Sequence, residues 1–250
     1  MVYFVGAGCG APDLITVRGQ RLVSRADCII YAGSLVNPAL LERAPEGCEI
    51  HNSACMTLQE VIAVMERTEA QKRMTVRLHT GDPCLYGAIS EQMDALDARG
   101  IPYEICPGVS AFCGAAAALR AEYTLPGVSQ TVILTRMEGR TAVPERERIA
   151  ALAAHGATMV IFLSASLTQG LRTQLLAGGY APDTPGAIVY KASWPDEKVL
   201  RCTVDTLPQT AQENGITRTA LIAVGHFLGS SYELSKLYDA HFTTLYREGI

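Results

Sequence analysis

Short apolar runs that end in glycine- or proline-rich turns recur along the first half of this 250-residue chain, and each is followed by a stretch with helical spacing. Strands are expected at residues 2–5, 28–31, 75–78 and 103–106, and helices at 14–23, 56–69, 89–99 and 110–121. The second of these helices, 56–69, has two candidate N-caps, Ser53 and Thr57. Because parallel strands need crossover connections, the alternation predicts a mainly parallel sheet with helices packed on it.

A turn-rich stretch at residues 122–128 precedes a second alternating series. Strands are expected there at residues 130–134, 159–163, 187–190 and 221–224, and helices at 145–154, 167–177 and 207–214. We therefore predict two α/β domains, residues 1–122 and 123–250. A chain of this length with 48% hydrophobic residues can bury two modest cores.

Composition narrows the class of partner. A net charge of -4 and a pI near 5.8 argue against a broad basic surface, so we expect no nucleic-acid partner. No apolar run approaches the roughly 20 residues of a membrane span, and the N-terminus does not resemble a signal peptide, so we expect a cytoplasmic protein without a membrane partner. The eight cysteines form no C-x-x-C pair and are expected to be reduced, mostly buried thiols.

The first loop, residues 6–10, follows the first expected strand and is rich in glycine. Gly6, Gly8 and Ala11 match the dinucleotide pattern G-x-G-x-x-A. That mode of binding also requires an acidic residue after the next strand, where this chain has Ala32, and Pro12 hinders immediate entry into a helix. An NAD(P)-dependent reductase therefore remains only an alternative.

Two further loops follow strands, the second loop at residues 80–87 and the third loop at residues 107–111. The second loop contains Gly81-Asp82-Pro83, which an ordinary Asp-Pro turn would also explain. Loops at the carboxyl ends of parallel strands converge on one crevice, where open α/β sheets bind ligands. We expect the three loops to form one site.

The order and spacing of residues 5–19, 81–87 and 107–110 resemble the tetrapyrrole methylases, which use S-adenosylmethionine (SAM) as methyl donor. This resemblance covers essentially the whole chain. It implies two α/β/α domains with a mixed C-terminal sheet, a homodimer, and SAM in a cleft between the domains. The cofactor contacts implied by the motifs are Cys9, Thr80, Gly81, Asp82, Leu85, Ser110, Ala111, Leu163, Ala192 and Ala220.

Residues 31–36, 134–141 and 189–198 are similar to the branch of this family that methylates carbon 11 of precorrin-4 or cobalt-precorrin-4 in cobalamin biosynthesis. Such a tetrapyrrole substrate carries several carboxylates, which would be bound by arginines or lysines. The candidates are Arg18, Arg136, Arg140 and Lys191, each of which has an ordinary surface charge as its alternative role.

Methyl transfer from a sulfonium is an in-line displacement for which positioning dominates, so we name no catalytic residue. The five histidines form no metal-binding pattern, and we expect no bound metal. His79 precedes the second loop; we expect a hydrogen-bonded strand-end histidine, with a substrate-facing role as the alternative.

The family's first loop usually has a proline and an aspartate where this chain has Cys9 and Ala11. This departure motivates a further alternative, a non-catalytic corrinoid-binding protein of the same fold. Ribosomal-RNA and diphthamide methylases share the fold, but they should lack the segment 134–141.

Overall fold

The computed structural model describes residues 1–229 and 231–250, and these form two units. Unit 1 comprises Met1–Ala115 together with Lys191–Glu197, and unit 2 comprises Ala116–Tyr190 and Lys198–Ile250. The division at residues 122 and 123 that the sequence suggests stays a prediction.

Unit 1 is organised by a parallel sheet. Its strands are β1 (Val2–Gly6), β2 (Cys28–Tyr31), β3 (Glu49–Asn52), β4 (Thr75–His79) and β5 (Tyr103–Cys106). They are arranged in the order β3-β2-β4-β1-β5, and every neighbouring pair is parallel. The helices that follow strands are α1 (Val17–Val23), α2 (Leu58–Ala70), α3 (Ser90–Asp97) and α4 (Ala111–Leu119). The predicted parallel sheet is confirmed.

Alternation along the strands places apolar side chains on both faces of this sheet. Phe4 and Ile30 pack on one face with Met65 of α2 and Leu96 of α3. Their sequence neighbours Val5 and Ile29 point to the opposite face, in a second cluster with Val23 of α1. Full burial of such a side chain contributes about 1.5–3 kcal/mol, so both faces stabilise the unit.

Local signals explain where the first two helices begin. Pro12 starts a short 3-10 helix, Pro12–Leu14, and α1 begins only at Val17, three residues later than expected, because Thr16 is its N-cap. Helix α2 begins after Thr57, whose Oγ1 accepts a hydrogen bond from the Glu60 N–H, while the Glu60 carboxylate accepts one from the Thr57 N–H. This capping box decides between the two N-cap candidates in favour of Thr57.

Unit 2 contains a mixed sheet. Its strands are β6 (Val132–Arg136), β7 (Thr158–Phe162), β8 (Pro185–Tyr190), β9 (Lys198–Thr203) and β10 (Ala220–Val224), in the order β6-β7-β10-β8-β9. The pair β6 and β7 is parallel and the other pairs are antiparallel, which confirms the predicted mixed sheet. The helices are α5 (Ile149–Ala153), α6 (Thr168–Ala177) and α7 (Leu207–Glu213), and all three pack on one face of the sheet.

All eight cysteines are free, but the expectation that most are buried was wrong. Cys9, Cys28 and Cys106 are buried, whereas Cys55, Cys84 and Cys113 are exposed and the other two are intermediate. Cys55 and Cys84 lie on surface segments outside the strands and long helices, where no core can cover them. Within the described part of the chain, no helix is both long and apolar enough to cross a membrane.

Candidate functional site

The three glycine-containing loops of unit 1 meet at backbone atoms. A Cβ added at Gly6 would lie 2.5 Å from the Gly108 Cα and 2.6 Å from the Gly81 carbonyl oxygen. A Cβ at Gly108 would lie 2.2 Å from that same oxygen. Only glycine permits backbones to approach this closely, so the structure brings the three loops together as their positions on the strands suggested.

Hydrogen bonds join the first loop to the second. The Ala7 N–H donates to the His79 carbonyl at 2.7 Å, and Gly8 and Gly81 exchange two backbone bonds of 3.3 and 2.9 Å. Gly8 has a φ of 83°, in the left-handed region that favours glycine. The first and second loops are therefore joined by a short antiparallel bridge just beyond the parallel strands β1 and β4.

Asp82 fastens the second loop to the third. One carboxylate oxygen accepts the Cys84 N–H at 2.8 Å, and the other accepts the Gly108 N–H at 2.8 Å. Burial raises the pKa of Asp82, but the hydrogen bonds from Cys84 and Gly108 outweigh that effect and hold the pKa below its usual value. The ionised carboxylate thus links the two loops by hydrogen bonds, and its oxygens keep lone pairs that are available to a ligand.

The first loop is held on its other side by the segment that connects β8 to β9. The Ala11 N–H donates to the Ser193 Oγ at 2.9 Å, and the Cys9 Sγ lies 3.4 Å from the same oxygen. The Ser193 N–H in turn donates to the Glu197 carboxylate at 2.6 Å. A Cβ at Gly10 would lie 2.3 Å from the Trp194 ring and 2.6 Å from the Ala192 carbonyl oxygen, and the main-chain contact makes glycine necessary here too. Ser193 thus fixes the loop at the two positions where it departs from the family pattern.

The expected cofactor residues of unit 1 lie around these loops. Cys9 and Ala192 are both 7% exposed, and both approach Gly114 of α4. Ser110 is buried, the backbone N–H of Ala111 lies next to Gly81, and Thr80 and Leu85 are half-buried.

The two expected cofactor residues of unit 2 lie at one end of its sheet. Ile222 pairs with Ile161, and continuing this antiparallel register by two residues places Ala220 opposite Leu163. Leu163 has a φ of 54° and is 66% exposed, and Thr219 beside Ala220 has a φ of 55°. Left-handed conformations at non-glycine residues cost about 1–3 kcal/mol and concentrate at functional sites.

The four predicted substrate-binding cations have different surroundings. Arg136 donates to the carbonyl oxygens of Met137, Thr141 and Ala142 at 3.2, 3.2 and 2.8 Å, so it shapes the loop of residues 137–142. Arg140 is exposed on that loop, and Arg18 is exposed on α1.

Lys191 bonds to Asp196 at 2.6 Å and its Nζ lies 5.5 Å from the centre of the Trp194 ring. Arg18 and Arg140 therefore keep their guanidinium groups in solvent, while Arg136 and Lys191 are bound to neighbouring groups of the chain.

His79 does not have the hydrogen-bonded side chain that we expected. It is 4% exposed, and in the described residues its Nε2 has no hydrogen-bond partner. Burial, together with the nearby charge of Arg77, lowers the pKa of His79 to about 3, so the ring is neutral at neutral pH. The ring is buried without a hydrogen bond because His79 lies on β4, where Gly6 is its register partner and the Phe4 ring lies 6.1 Å away.

Among the described residues, one group of three side chains has the atoms to bind a metal: Cys28, Glu49 and His51, on the adjacent strands β2 and β3. The Glu49 carboxylate is already paired with Arg67 and with Arg73, the latter at 3.1 Å. Burial raises the pKa of Cys28 to about 11, which disfavours the thiolate that binds metals. The arrangement is that of an ion-pair cluster on the sheet edge.

Sequence reasoning missed two residues that order the first loop, Ser193 and Asn37. Asn37 donates from its amide to the Gly10 carbonyl at 2.9 Å and accepts from the Ala39 N–H at 3.1 Å. An Asn-Pro pair is a turn signal, and Ser193 lies within the motif 189–198, so signals existed at both positions. Their target loop is distant in sequence, which is why neither signal revealed the contact.

Comparisons with known proteins agree on one family. The family model of the tetrapyrrole (corrin/porphyrin) methylases matches residues 1–208. A cobalt-precorrin-4 C(11)-methyltransferase of Methanocaldococcus jannaschii is 51% identical, over 99% of this chain and 96% of the relative.

Two solved structures extend this likeness to the fold. The X-ray structure of a cobalamin biosynthetic enzyme, cobalt precorrin-4 methyltransferase, matches with a TM-score of 0.90 and 46% identity, over 92% of this chain and 96% of that one. A uroporphyrin-III C-methyltransferase from Thermus thermophilus, complexed with S-adenosyl homocysteine, matches with a TM-score of 0.77 and 25% identity, over 91% and 98%.

Proposed function

Because the chain belongs to the tetrapyrrole (corrin/porphyrin) methylase family, we propose that it transfers a methyl group from SAM to carbon 11 of precorrin-4 or cobalt-precorrin-4. The observation that carries this proposal is the likeness of almost the whole chain to a cobalt-precorrin-4 methyltransferase, at a TM-score of 0.90 and 46% identity. The motifs 31–36, 134–141 and 189–198 support the same branch of the family.

The loops of unit 1 suit a cofactor that is bound largely through backbone groups. Three glycines leave no side chains where the loops meet, so main-chain groups rather than side chains border this part of the proposed site. The bound S-adenosyl homocysteine named for the Thermus thermophilus relative supports SAM as the methyl donor. We keep Cys9, Thr80, Gly81, Asp82, Leu85, Ser110, Ala111, Leu163, Ala192 and Ala220 as the proposed contacts.

When bound, SAM supplies an electrophilic methyl group on a positively charged sulfur. The residues of the chain orient the cofactor and the methyl acceptor and exclude water from them. Loops fastened by Asp82 and by Ser193 hold one geometry, which favours near-attack positioning of the reacting groups. The buried side chains of Cys9 and Ala192 give the first loop an apolar border from which water is excluded.

The carboxylates of the tetrapyrrole require cations, and the four candidates divide by what the structure leaves available. We propose Arg140 and Arg18 as direct partners of substrate carboxylates, since their guanidinium groups are exposed. Arg136 would act by shaping the loop that presents Arg140. Lys191 would first have to exchange Asp196 for a substrate carboxylate.

The decisive experiment incubates the purified protein with SAM and with either metal-free or cobalt-loaded precorrin-4, followed by mass analysis. Gain of one methyl group at carbon 11 on either substrate is expected, and the preferred substrate identifies the natural form. Absence of methyl gain on both would overturn the proposal.

Calorimetric titration separates the remaining alternatives. Binding of S-adenosyl homocysteine without affinity for NADPH is expected, whereas NADPH binding alone would favour a reductase. Tetrapyrrole binding without methyl transfer would favour the non-catalytic corrinoid-binding protein.

Two further proposals concern the state of the protein in the cell. We propose a homodimer, as the family resemblance implies, and a cytoplasmic location, as expected for a biosynthetic enzyme with small-molecule substrates. Light scattering on the purified chain should give twice the 26.8 kDa monomer mass, and a monomer mass would contradict the dimer.

A further inference from the structure

A buried arginine lies in the middle of β4. Arg77 is 7% exposed, and its register partners on the neighbouring strands are Phe4 and Ile30. Burial lowers its pKa to about 10, so it remains charged at neutral pH. Within residues 1–229 and 231–250 no carboxylate pairs with it. A buried charge is costly without polar partners, so what Arg77 binds is informative.

Arg77 is the start of a chain of hydrogen bonds that ends beside the second loop. Its guanidinium donates to the Ile30 carbonyl at 3.1 Å and to the Gln92 Oε1 at 3.1 Å. Gln92 is 5% exposed, and its amide nitrogen donates to the Ala88 carbonyl at 2.9 Å. A charged donor polarises the glutamine amide and strengthens the second bond of the chain.

The backbone that this chain reaches is strained. Tyr86 and Ala88 have φ values of 56° and 49°, a conformation unfavourable for residues with a side chain. Between them, a Cβ at Gly87 would lie 2.2 Å from the Pro83 carbonyl oxygen. Helix α3, which follows, has no side-chain cap at its N-terminus. The bond from Gln92 to Ala88 therefore holds a turn that its own sequence does not favour.

We propose that Arg77 and Gln92 are positioning residues for the SAM-binding second loop. They hold the turn at Tyr86–Ala88, and through it Asp82 and Leu85, in the geometry that binds the cofactor. This inference rests on the proposed function. If the loop is ordered before the cofactor binds, no binding free energy is lost in ordering it. Loss of the hydrogen bonds from Arg77 to Gln92 and from Gln92 to Ala88 therefore lowers cofactor affinity.

Two substitutions of Gln92 test its hydrogen bond from Arg77 and its hydrogen bond to Ala88. Gln92→Glu keeps an oxygen acceptor for Arg77 and adds an ion pair to it, but it loses the N–H donor to Ala88. Gln92→Met loses both bonds at similar volume. We expect the affinity for S-adenosyl homocysteine to fall about tenfold in both variants, as for loss of one polarised hydrogen bond. The thermal midpoint should fall in Gln92→Met and be retained in Gln92→Glu.

Thr68→Val is the matched control. Thr68 is 2% exposed in α2, where its hydroxyl donates to the Val64 carbonyl at 2.8 Å, so its loss should lower the thermal midpoint and leave cofactor affinity unchanged. In turnover assays the Gln92 variants should raise the KM for SAM while the KM for the tetrapyrrole stays constant.

The outcomes are distinguishable. If the unaltered protein does not bind S-adenosyl homocysteine, both the proposed function and this inference are wrong. If it binds, and both Gln92 variants bind equally well, only the inference is overturned. An equal rise in both KM values would also overturn it, because it would show a general structural defect.

Discussion

Two ionisable residues near the end of β4 have lowered pKa values for opposite physical reasons. Asp82 is ionised because backbone and side-chain hydrogen bonds stabilise its charge, whereas His79 is neutral because burial destabilises its charge. Both residues were visible in the sequence, but their environments were not, since Gly108 comes from the third loop and Phe4 from β1. The chemistry of the site therefore depends on long-range contacts that residue identity does not encode.

His79 should make folding sensitive to acid. In the unfolded chain it takes up a proton below its ordinary pKa of 6.5, but in the folded chain only near pH 3. The unfolded state binds more protons in this window, so the free energy of unfolding falls as pH is lowered from 6.5. We expect His79→Gln to show a smaller fall in urea midpoint between neutral pH and about pH 5.

The exposed His155 provides the control, since His155→Gln should keep the acid sensitivity of the unaltered chain. Equal pH dependence in His79→Gln and the unaltered protein would contradict the assignment.

Among the secondary-structure elements, two strands were missed entirely, and neither contains a buried residue. Strands β2 and β5 have the predicted bounds because they are short runs bounded by turn residues. Strands β3 and β9 were missed because both are edge strands, whose sequences, Glu-Ile-His-Asn and Lys-Val-Leu-Arg-Cys-Thr, include no fully buried residue. The other edge strand of unit 2, β6, was predicted two residues too early. One-sided burial weakens the hydrophobic pattern of an edge strand, although β5, also at an edge, was predicted.

The N-cap of α2 supports a prediction at this scale. Thr57→Ala removes a capping box and should lower the free energy of unfolding by about 1 kcal/mol. Ser53→Ala is the comparison, because the Ser53 hydroxyl donates to the Tyr31 carbonyl and caps no helix. Urea unfolding of both variants measures the difference, and a larger loss in Ser53→Ala would contradict the cap assignment.

The segment Lys191–Glu197 supports another prediction at the scale of elements. Ser193→Ala removes the acceptor for the Ala11 N–H, and we expect the affinity for S-adenosyl homocysteine to fall by about fivefold to tenfold. Ser235→Ala removes a similar bond, from the Leu237 N–H in unit 2, and should have no such effect. Titration calorimetry would refute the role of Ser193 if both variants bound equally.

For the whole molecule, three loops and a family likeness were sufficient to predict the chemistry, but they did not separate binding residues from structural ones. Arg136 and Arg140 are four residues apart and looked equivalent, yet Arg136 is bonded to its own loop and Arg140 is exposed. Sequence spacing predicts which residues are near each other. It does not predict which side-chain donors are already hydrogen-bonded to backbone carbonyl oxygens.

Arg140→Ala should therefore impair the acceptor side of the reaction alone. We expect the KM for the tetrapyrrole to rise about tenfold, as for loss of one charge-assisted contact, with no change in the KM for SAM. Arg146→Ala, which removes another exposed arginine outside the loop, should leave both values unchanged. A rise in the KM for SAM in Arg140→Ala would contradict its role in substrate binding.

The close contact of Gly6, Gly81 and Gly108 limits how this protein can evolve. At Gly6 and Gly108 a new methyl group would meet main-chain atoms rather than a side chain, so no compensating substitution at a neighbour can make room for it. The two positions are therefore expected to tolerate only glycine in any active descendant, however far the surrounding loops diverge. A saturation library scored for cobalamin-dependent growth should recover glycine alone at both, while Cys9 and Ala11, one residue on each side of Gly10, accept other side chains.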